Sequence, residues 1–279
     1  MKLPPEGQLL KWIGNKQRSA MAIVQTFPPQ FRAYHEPFLG SGAVLATLEP
    51  AQATASDVLA PLIDIWQLVQ RDPAGLLDNY QSRFADFTTR DRREVFLQIR
   101  ANYNENPNGH DLLFLARTGY GGVIRFDRHG HFTTPCGPHK ALAPEKFAKI
   151  LRQWQRRVQN VQFLVGDFEA HIDQAQHGDL VYCDPPYRDC QRMLYGAQAF
   201  SLQRLFQAIT RARDRGVHVA LSIDGSKRSG DRICDVPIPP DLFAREAEIQ
   251  KGRSMLRRFQ MQGHTLHGEL VADRLLCTW

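Results

Sequence analysis

Short apolar segments typical of β-strands alternate with helical segments along most of this chain, and this alternation limits the possible fold more than any other feature. The strand-like segments are 31–38, 53–58, 161–168, 179–184 and 217–224, and the helical segments between them include 42–48, 61–70 and 202–216. Such alternation is typical of a mainly parallel sheet with helices on both faces. We therefore predict an α/β fold, with an antiparallel hairpin formed by residues 243–250 and 269–279.

The alternation stops between residues 70 and 143. This part is mostly helical in pattern, and it ends in residues 117–140, which are dense in glycine, aromatic and basic residues. An insertion with its own character inside an α/β sheet indicates a second unit that faces the substrate. We predict one domain formed by residues 1–69 and 144–279, and a smaller, mostly helical inserted domain with a β-hairpin at 70–143.

The composition is that of a globular protein with a basic surface. The net charge is +6 and the calculated pI is 9.2, which is compatible with a polyanionic partner. The sequence contains no apolar run of about 18 residues, so we expect no membrane span. Its five cysteines are scattered without a C-x-x-C pair, which favours reduced thiols and a cytoplasmic location.

Polar residues and glycines follow the first predicted strand, where open α/β sheets bind their ligands. The stretch runs from Glu36 through Pro37 and Phe38 to Gly40-Ser41-Gly42. It contains G-x-G, but it lacks the third glycine of a dinucleotide-binding loop. We interpret it as a loop for a nucleoside that carries no phosphate.

Acids end two further strands. Asp57 follows Gly40 at about the interval expected for an acid that accepts hydrogen bonds from ribose hydroxyls, although it could equally cap the next helix. Asp167 ends the third predicted strand and could accept a hydrogen bond from an adenine amino group.

The fourth strand end reads Asp184-Pro185-Pro186-Tyr187. Proline rarely continues a central strand, and two adjacent prolines fix the backbone around them. The sequence therefore predicts that this strand stops at a rigid point that carries a carboxylate and an aromatic ring.

With these motifs in this order, the whole chain resembles the amino-methylating DNA methyltransferases, in particular the Dam-type adenine-N6 enzymes. The resemblance begins at residues 10–16, similar to the N-terminal cofactor motif of that family, and continues through residues 36–42, Asp57 and Asp184–Tyr187. It implies a Rossmann-like methyltransferase sheet and S-adenosylmethionine as cofactor. By this resemblance, Trp12, Lys16, Asp57 and Asp184 contact S-adenosylmethionine.

The four residues 184–187 suit methylation of an amine. Asp184 and the carbonyl of Pro185 can each accept one hydrogen from adenine N6, Pro186 holds them rigid, and Tyr187 can stack on a flipped base. Neither a covalent intermediate nor a metal is expected. Cytosine N4, RNA adenine and a protein amide remain alternative substrates, and a catalytically silent DNA-binding module is a further alternative. The acid at 184 favours adenine.

Residues 117–126 resemble the Dam-type recognition hairpin, with residues 132–135 as its second arm. Glycines allow close backbone approach, Tyr120 can wedge between bases, and Arg125 can bind guanine O6 and N7. Pro135 can touch a thymine methyl and Lys140 a phosphate. Gly121 stands where asparagine is usual in this family, and residues 133–137 also depart from its pattern. The predicted DNA-binding residues are Tyr120, Gly121, Val123, Arg125, Pro135 and Lys140.

The resemblance implies double-stranded DNA as partner and GATC or a related short site as target. Residues 188–196 are predicted to form a mobile loop that orders over the flipped base. No obligate protein partner is evident, and we expect a monomer in a bacterial or phage setting, with a housekeeping or a restriction-modification role.

Overall fold

The computed structural model describes residues 3–186, 200–224, 237–250 and 272–279. Its strands, in chain order, are β1 Tyr34–Glu36, β2 Ala53–Asp57, β3 Val161–Val165, β4 Leu180–Cys183, β5 His218–Asp224, β6 Arg245–Gln250 and β7 Ala272–Cys277. They form one sheet in the order β3-β2-β1-β4-β5-β7-β6. Strands β1 to β5 are parallel, and β7 is antiparallel to both β5 and β6. The predicted α/β sheet with an antiparallel C-terminal hairpin is confirmed.

The helices of the described residues are α1 Ala20–Thr26, α2 Ala43–Leu48, α3 Ala60–Arg71, α4 Pro73–Thr89, α5 Arg92–Glu105, α6 Gly109–Thr118, α7 Pro144–Arg157, α8 Phe168–Asp173 and α9 Leu202–Asp214. Several begin at a side chain that accepts hydrogen bonds from the first backbone N–H groups, such as Asp91 before α5 and Asn108 before α6. Among the helices in this part of the chain, none has the length and apolar character needed to cross a membrane.

The sheet separates two apolar cores. In β4, the side chain of Tyr182 belongs to one core, whereas Val181 and Cys183 belong to the other. Because successive side chains of a strand point to opposite faces, a strand buried on both faces is apolar throughout, as β4 is. Helices α8 and α9 cover the second core, and α3 packs in the first.

Helices α4, α5 and α6, which make up most of the predicted inserted domain, pack in the same apolar core as α3 and α7. Tyr80 of α4 stacks on Phe147 of α7 with ring centroids 4.2 Å apart, and it also contacts Phe114 of α6. The Tyr80 hydroxyl donates a hydrogen bond of 2.8 Å to the carbonyl of Leu142. These contacts hold the helical region firmly against the sheet-bearing part, and the division at residues 70–143 stays a prediction.

Candidate active site

A cleft lies at the carboxyl ends of β1 and β4, where the strand order reverses. The chain leaves β1 toward β2 on one side and leaves β4 toward β5 on the other, which opens a crevice between them. The cleft encloses about 1050 Å³, including solvent at its mouth. Of the predicted cofactor-binding residues, all except Gly42 line it: Trp12, Lys16, Glu36, Pro37, Phe38, Gly40, Asp57, Asp167 and Asp184.

Lys16 and Asp184 form an ion pair at the base of this cleft. The Lys16 ammonium lies 2.6 Å from each carboxylate oxygen of Asp184 and also donates to the carbonyl of Gly14 at 3.3 Å. A third group, the carboxylate of Asp273 on β7, lies 3.8 Å from the same ammonium. Lys16 is 3% exposed and Asp273 is fully buried, so water screens these charges poorly.

Glu36 adds another carboxyl to this cluster. Its side chain is buried and accepts a 2.6 Å hydrogen bond from the hydroxyl of Tyr34, two residues earlier on the same face of β1. Burial raises the pKa of Glu36 to about 8, and the charge of Asp184 also raises it, against the opposing effects of Tyr34 and Lys16. In the protein alone, Glu36 is therefore mainly protonated at neutral pH. A cation bound beside it would favour its ionised form.

The loop after β1 is a tight turn that only glycine fits. Gly40 and Gly42 both have positive φ angles, of 47° and 61°. A Cβ atom at Gly40 would lie 3.2 Å from Nε1 of Trp12, and one at Gly42 would lie 3.0 Å from the ring of Trp66. Gly42 therefore packs against the ring of Trp66 and does not line the cleft.

Asp57 ties this loop to the end of β2. One carboxylate oxygen accepts the backbone N–H of Gly40 at 3.1 Å, and the other accepts that of Leu59 at 3.2 Å, at the start of α3. Asp57 is not the N-cap of α3, because that position is Leu59 and no side-chain capping hydrogen bond is made there; Asp57 does line the cleft. A carboxylate has enough lone pairs to accept ligand hydroxyls as well.

The other wall of the cleft is aromatic. Phe38 stacks on Phe168 with ring centroids 5.1 Å apart, and Phe200 contacts both rings at 5.9 and 5.8 Å. Asp167 stands at the edge of this wall, where its carboxylate accepts the backbone N–H of Glu169 and caps α8. An acid beside a cluster of aromatic rings is a suitable site for a base that carries an amino group.

The strand end that prompted the catalytic prediction has the expected form. Strand β4 stops at Cys183, and Asp184, Pro185 and Pro186 follow at the cleft without regular secondary structure. Asp184 is 18% exposed at its side chain, so it is open to a ligand while held by Lys16. Tyr187 and the predicted loop 188–196 lie outside the described residues.

Two antiparallel arms pair where the recognition hairpin was predicted, from Gly119 to Cys136. Arg117 lies in the last turn of helix α6 and is buried, with its guanidinium donating to the carbonyls of Gln8 and Leu9, so it precedes the paired arms. Residues 120–122 form a single 3₁₀ turn. The two arms pair at both ends: Gly119 bridges Cys136 and Tyr120 N–H donates to the Pro135 carbonyl, while nearer the tip Phe126 bridges Phe132 and Thr133 N–H donates to the Arg125 carbonyl.

Most of the predicted DNA-binding residues lie at the surface. Tyr120 is 42% exposed, unusual for a large aromatic side chain, and Val123 is half-buried. Gly121 adopts a φ of 65° within the turn. The other three members of the set, Arg125, Pro135 and Lys140, are exposed. This surface is therefore accessible to a large partner.

Three residues of the site were not predicted from the sequence. Tyr34 could have been found, because residues two apart on a strand share a face and Glu36 needs a buried partner. Asp273 reaches Lys16 only because β7 lies beside β5, which no local pattern reveals. Arg204, which binds Asp167, is 37 positions away from it in the chain, and no local sequence pattern predicts this contact.

Comparison with known proteins identifies the family. Residues 12–226 match the model of the D12 class N6 adenine-specific DNA methyltransferases. The chain is 31% identical over 199 residues to the type II methyltransferase M.MjaIII of Methanocaldococcus jannaschii, covering 64% of this chain and 68% of that protein. It is 27% identical over 226 residues to the DNA adenine methylase of Vibrio cholerae, covering 76% of this chain and 79% of that one.

A third relative is much longer than this chain. The DNA N-6-adenine-methyltransferase of Escherichia phage P1 is 27% identical over 260 residues, which are 88% of this chain but 34% of the phage protein. The family match covers the loop that contains Gly40 and Gly42, the acids at the strand ends and the Asp-Pro-Pro segment described above. The chain belongs to the D12 class of N6 adenine-specific DNA methyltransferases.

Proposed function

We propose that this adenine-specific DNA methyltransferase uses S-adenosylmethionine and acts on N6 of an adenine flipped out of duplex DNA. The observation that supports this most directly is the rigid Asp184-Pro185-Pro186 segment at the β1/β4 switch point, beside a cleft rich in buried acids.

The residues present fit such a cofactor. Two carboxylates, of Asp184 and Asp273, lie close to the single ammonium of Lys16, and Glu36 can ionise beside a bound cation, so the cleft favours a ligand that carries positive charge. S-adenosylmethionine has an ammonium and a sulfonium, and when bound it supplies the electrophilic methyl group. The residues that would hold it are Trp12, Lys16, Glu36, Pro37, Phe38, Gly40, Gly42, Asp57, Asp167 and Asp184.

The chain's own contribution to catalysis is placement. Asp184 and the carbonyl of Pro185 accept the two hydrogens of adenine N6, which directs the nitrogen lone pair away from the ring. Lys16 fixes the carboxylate through both of its oxygens, and the prolines fix the backbone around the second acceptor. Acceptors held in place before the substrate binds need no reorganisation during the reaction. Tyr187 provides the ring on which the flipped base stacks.

The hairpin surface would read the DNA. Tyr120 wedges into the base stack beside Gly121 and Val123, Arg125 binds a guanine, Pro135 contacts a thymine methyl, and Lys140 contacts phosphate. Their exposure supports these roles. Residues 70–143 would then be the target-recognition region, and GATC or a related short sequence the target.

The proposal is tested by incubating the protein with labelled S-adenosylmethionine and unmethylated genomic DNA, followed by single-molecule sequencing. N6-methyladenine within GATC is the expected result. N6-methyladenine at another site would keep the chemistry and reject the target sequence. Methylation of RNA alone, or of cytosine N4, would reject the proposed substrate. The matched control is Asp184→Ala, which should bind DNA without methylating it.

A further inference from the structure

Arg204, in the first turn of α9, binds Asp167, the acid that is expected to accept a hydrogen bond from an adenine amino group. Its Nη2 donates a 2.7 Å hydrogen bond to Oδ1 of Asp167, and its Nε donates a 2.7 Å hydrogen bond to Oε2 of Glu169. Its guanidinium carbon lies 5.1 Å from the centroid of the Phe168 ring. A planar guanidinium that makes all three contacts at once fixes the orientation of its partners better than a lysine could.

The residues that Arg204 holds are cleft residues. Asp167 and Phe168 both line the cleft, and Phe168 stacks on Phe38. The Asp167 carboxylate is 39% exposed, so it would otherwise be mobile. Both described hydrogen bonds to it, from Arg204 and from the backbone N–H of Glu169, reach Oδ1. Oδ2 is thereby left to accept a hydrogen from a ligand.

We propose that Arg204 is a positioning residue that makes the cofactor site selective for a 6-amino purine, by holding Asp167 in the orientation that accepts the amino group. This inference rests on the proposed use of S-adenosylmethionine. An ionised carboxylate accepts a hydrogen from the 6-amino group of adenine but repels the 6-oxo group of hypoxanthine. The discrimination depends on the carboxylate staying in place, which is what Arg204 provides.

The experiment measures calorimetric affinities for S-adenosylhomocysteine and for S-inosylhomocysteine, which carries the 6-oxo group. Wild-type protein should prefer the adenosyl ligand, and Arg204→Met should reduce the ratio of the two affinities by about tenfold, or ~1.4 kcal/mol. Most of the change should be weaker binding of the adenosyl ligand. Arg204→Lys keeps the charge but cannot make both ion pairs at once, so it should recover part of the ratio.

Arg211 provides a matched control on the same helix. Its guanidinium binds Glu169 and Asp173, but it makes no described contact with Asp167. Arg211→Met should leave the affinity ratio at the wild-type value while removing a comparable pair of surface ion pairs. Thermal unfolding of each variant checks that the fold is retained.

Equal weakening of both ligands in Arg204→Met would overturn the inference, because it would show a general loss of structure around α8. An unchanged or larger ratio would overturn it as well. The same change of ratio in Arg211→Met would assign the effect to the ion-pair network as a whole and reject a specific role for Arg204. If wild-type protein bound neither ligand, the proposed function would fail together with this inference.

Discussion

Replacing Glu36 by glutamine should flatten the dependence of stability on pH. Wild-type Glu36 has a pKa of about 8 in the folded protein, because it is buried and lies beside Asp184, against an ordinary value of 4.5. Between these two pH values the unfolded state binds fewer protons at this position than the folded state does. The free energy of unfolding of the wild-type protein therefore falls as pH rises through this window, with no further loss from this group well above pH 8.

The size of the effect follows from the two pKa values. They lie about 3.5 pH units apart, and each unit corresponds to about 1.4 kcal/mol. Ionisation of this carboxyl should therefore lower the free energy of unfolding by on the order of 5 kcal/mol at alkaline pH. Glutamine keeps the acceptor for the Tyr34 hydroxyl but does not ionise. The variant should thus match wild type at about pH 4 and exceed it in stability increasingly toward pH 9.

The assay is urea unfolding of both proteins at several pH values from about 3 to 9. Glu246→Gln is the control with the opposite sign, because the hydrogen bonds from Arg274 lower the pKa of Glu246 from its ordinary value of 4.5, and its stabilising contribution is lost as pH falls below that value. This pair is exposed, so its effect should be at most about 1 kcal/mol. Parallel pH profiles for wild type and Glu36→Gln would refute the assignment of a raised pKa to Glu36.

Four further changes test other parts of the structure. Asp184→Ala should reduce methyl transfer by about 10²–10³-fold or more with little change in DNA affinity, and a retained rate would reject its role. Lys16→Met should lower the free energy of unfolding by about 3 kcal/mol in urea titrations, and adding Asp184→Asn should recover part of that loss; no recovery would mean that the pair is not the cause. Gly42→Ala should destabilise the protein by roughly 1–3 kcal/mol in thermal unfolding, and an unchanged melting temperature would contradict the strained turn. Arg125→Ala should weaken the free energy of DNA binding, measured by competition, by about 1–3 kcal/mol and reduce the preference for guanine at one position of the site. Equal losses on all DNA sequences would make Arg125 a phosphate contact.

The strands and their stops could be predicted from the sequence because they depend on local chemistry. The alternation of strand and helix segments gives the parallel sheet, and the two prolines after Asp184 mark the end of β4. Since parallel strands end at one edge of the sheet, the acids that follow them were expected to meet there, and the cleft brings Asp57, Asp167 and Asp184 together.

The partners of those acids could not be predicted, because they come from distant parts of the chain. Lys16 binds Asp184 across 168 positions, and nothing in residues 10–16 indicated that this lysine would hold the carboxylate after β4. Arg117 looked like part of a basic DNA-facing surface, yet its guanidinium is buried against the carbonyls of residues 8 and 9. Charge counted along a sequence does not distinguish a surface cation from one that secures an internal loop.

The position of β7 has a consequence for the order in which activity can arise during synthesis. This strand lies between β5 and β6 and brings Asp273 to Lys16, although these two residues are far apart in the chain. A ribosome that has released the loop after β1, the Asp-Pro-Pro segment and even β6 has not yet released the strand that joins β6 to the sheet. A nascent chain should therefore complete the charged cluster of Lys16, Asp184 and Asp273 only after residue 277 has emerged, and prematurely terminated chains should lack that cluster.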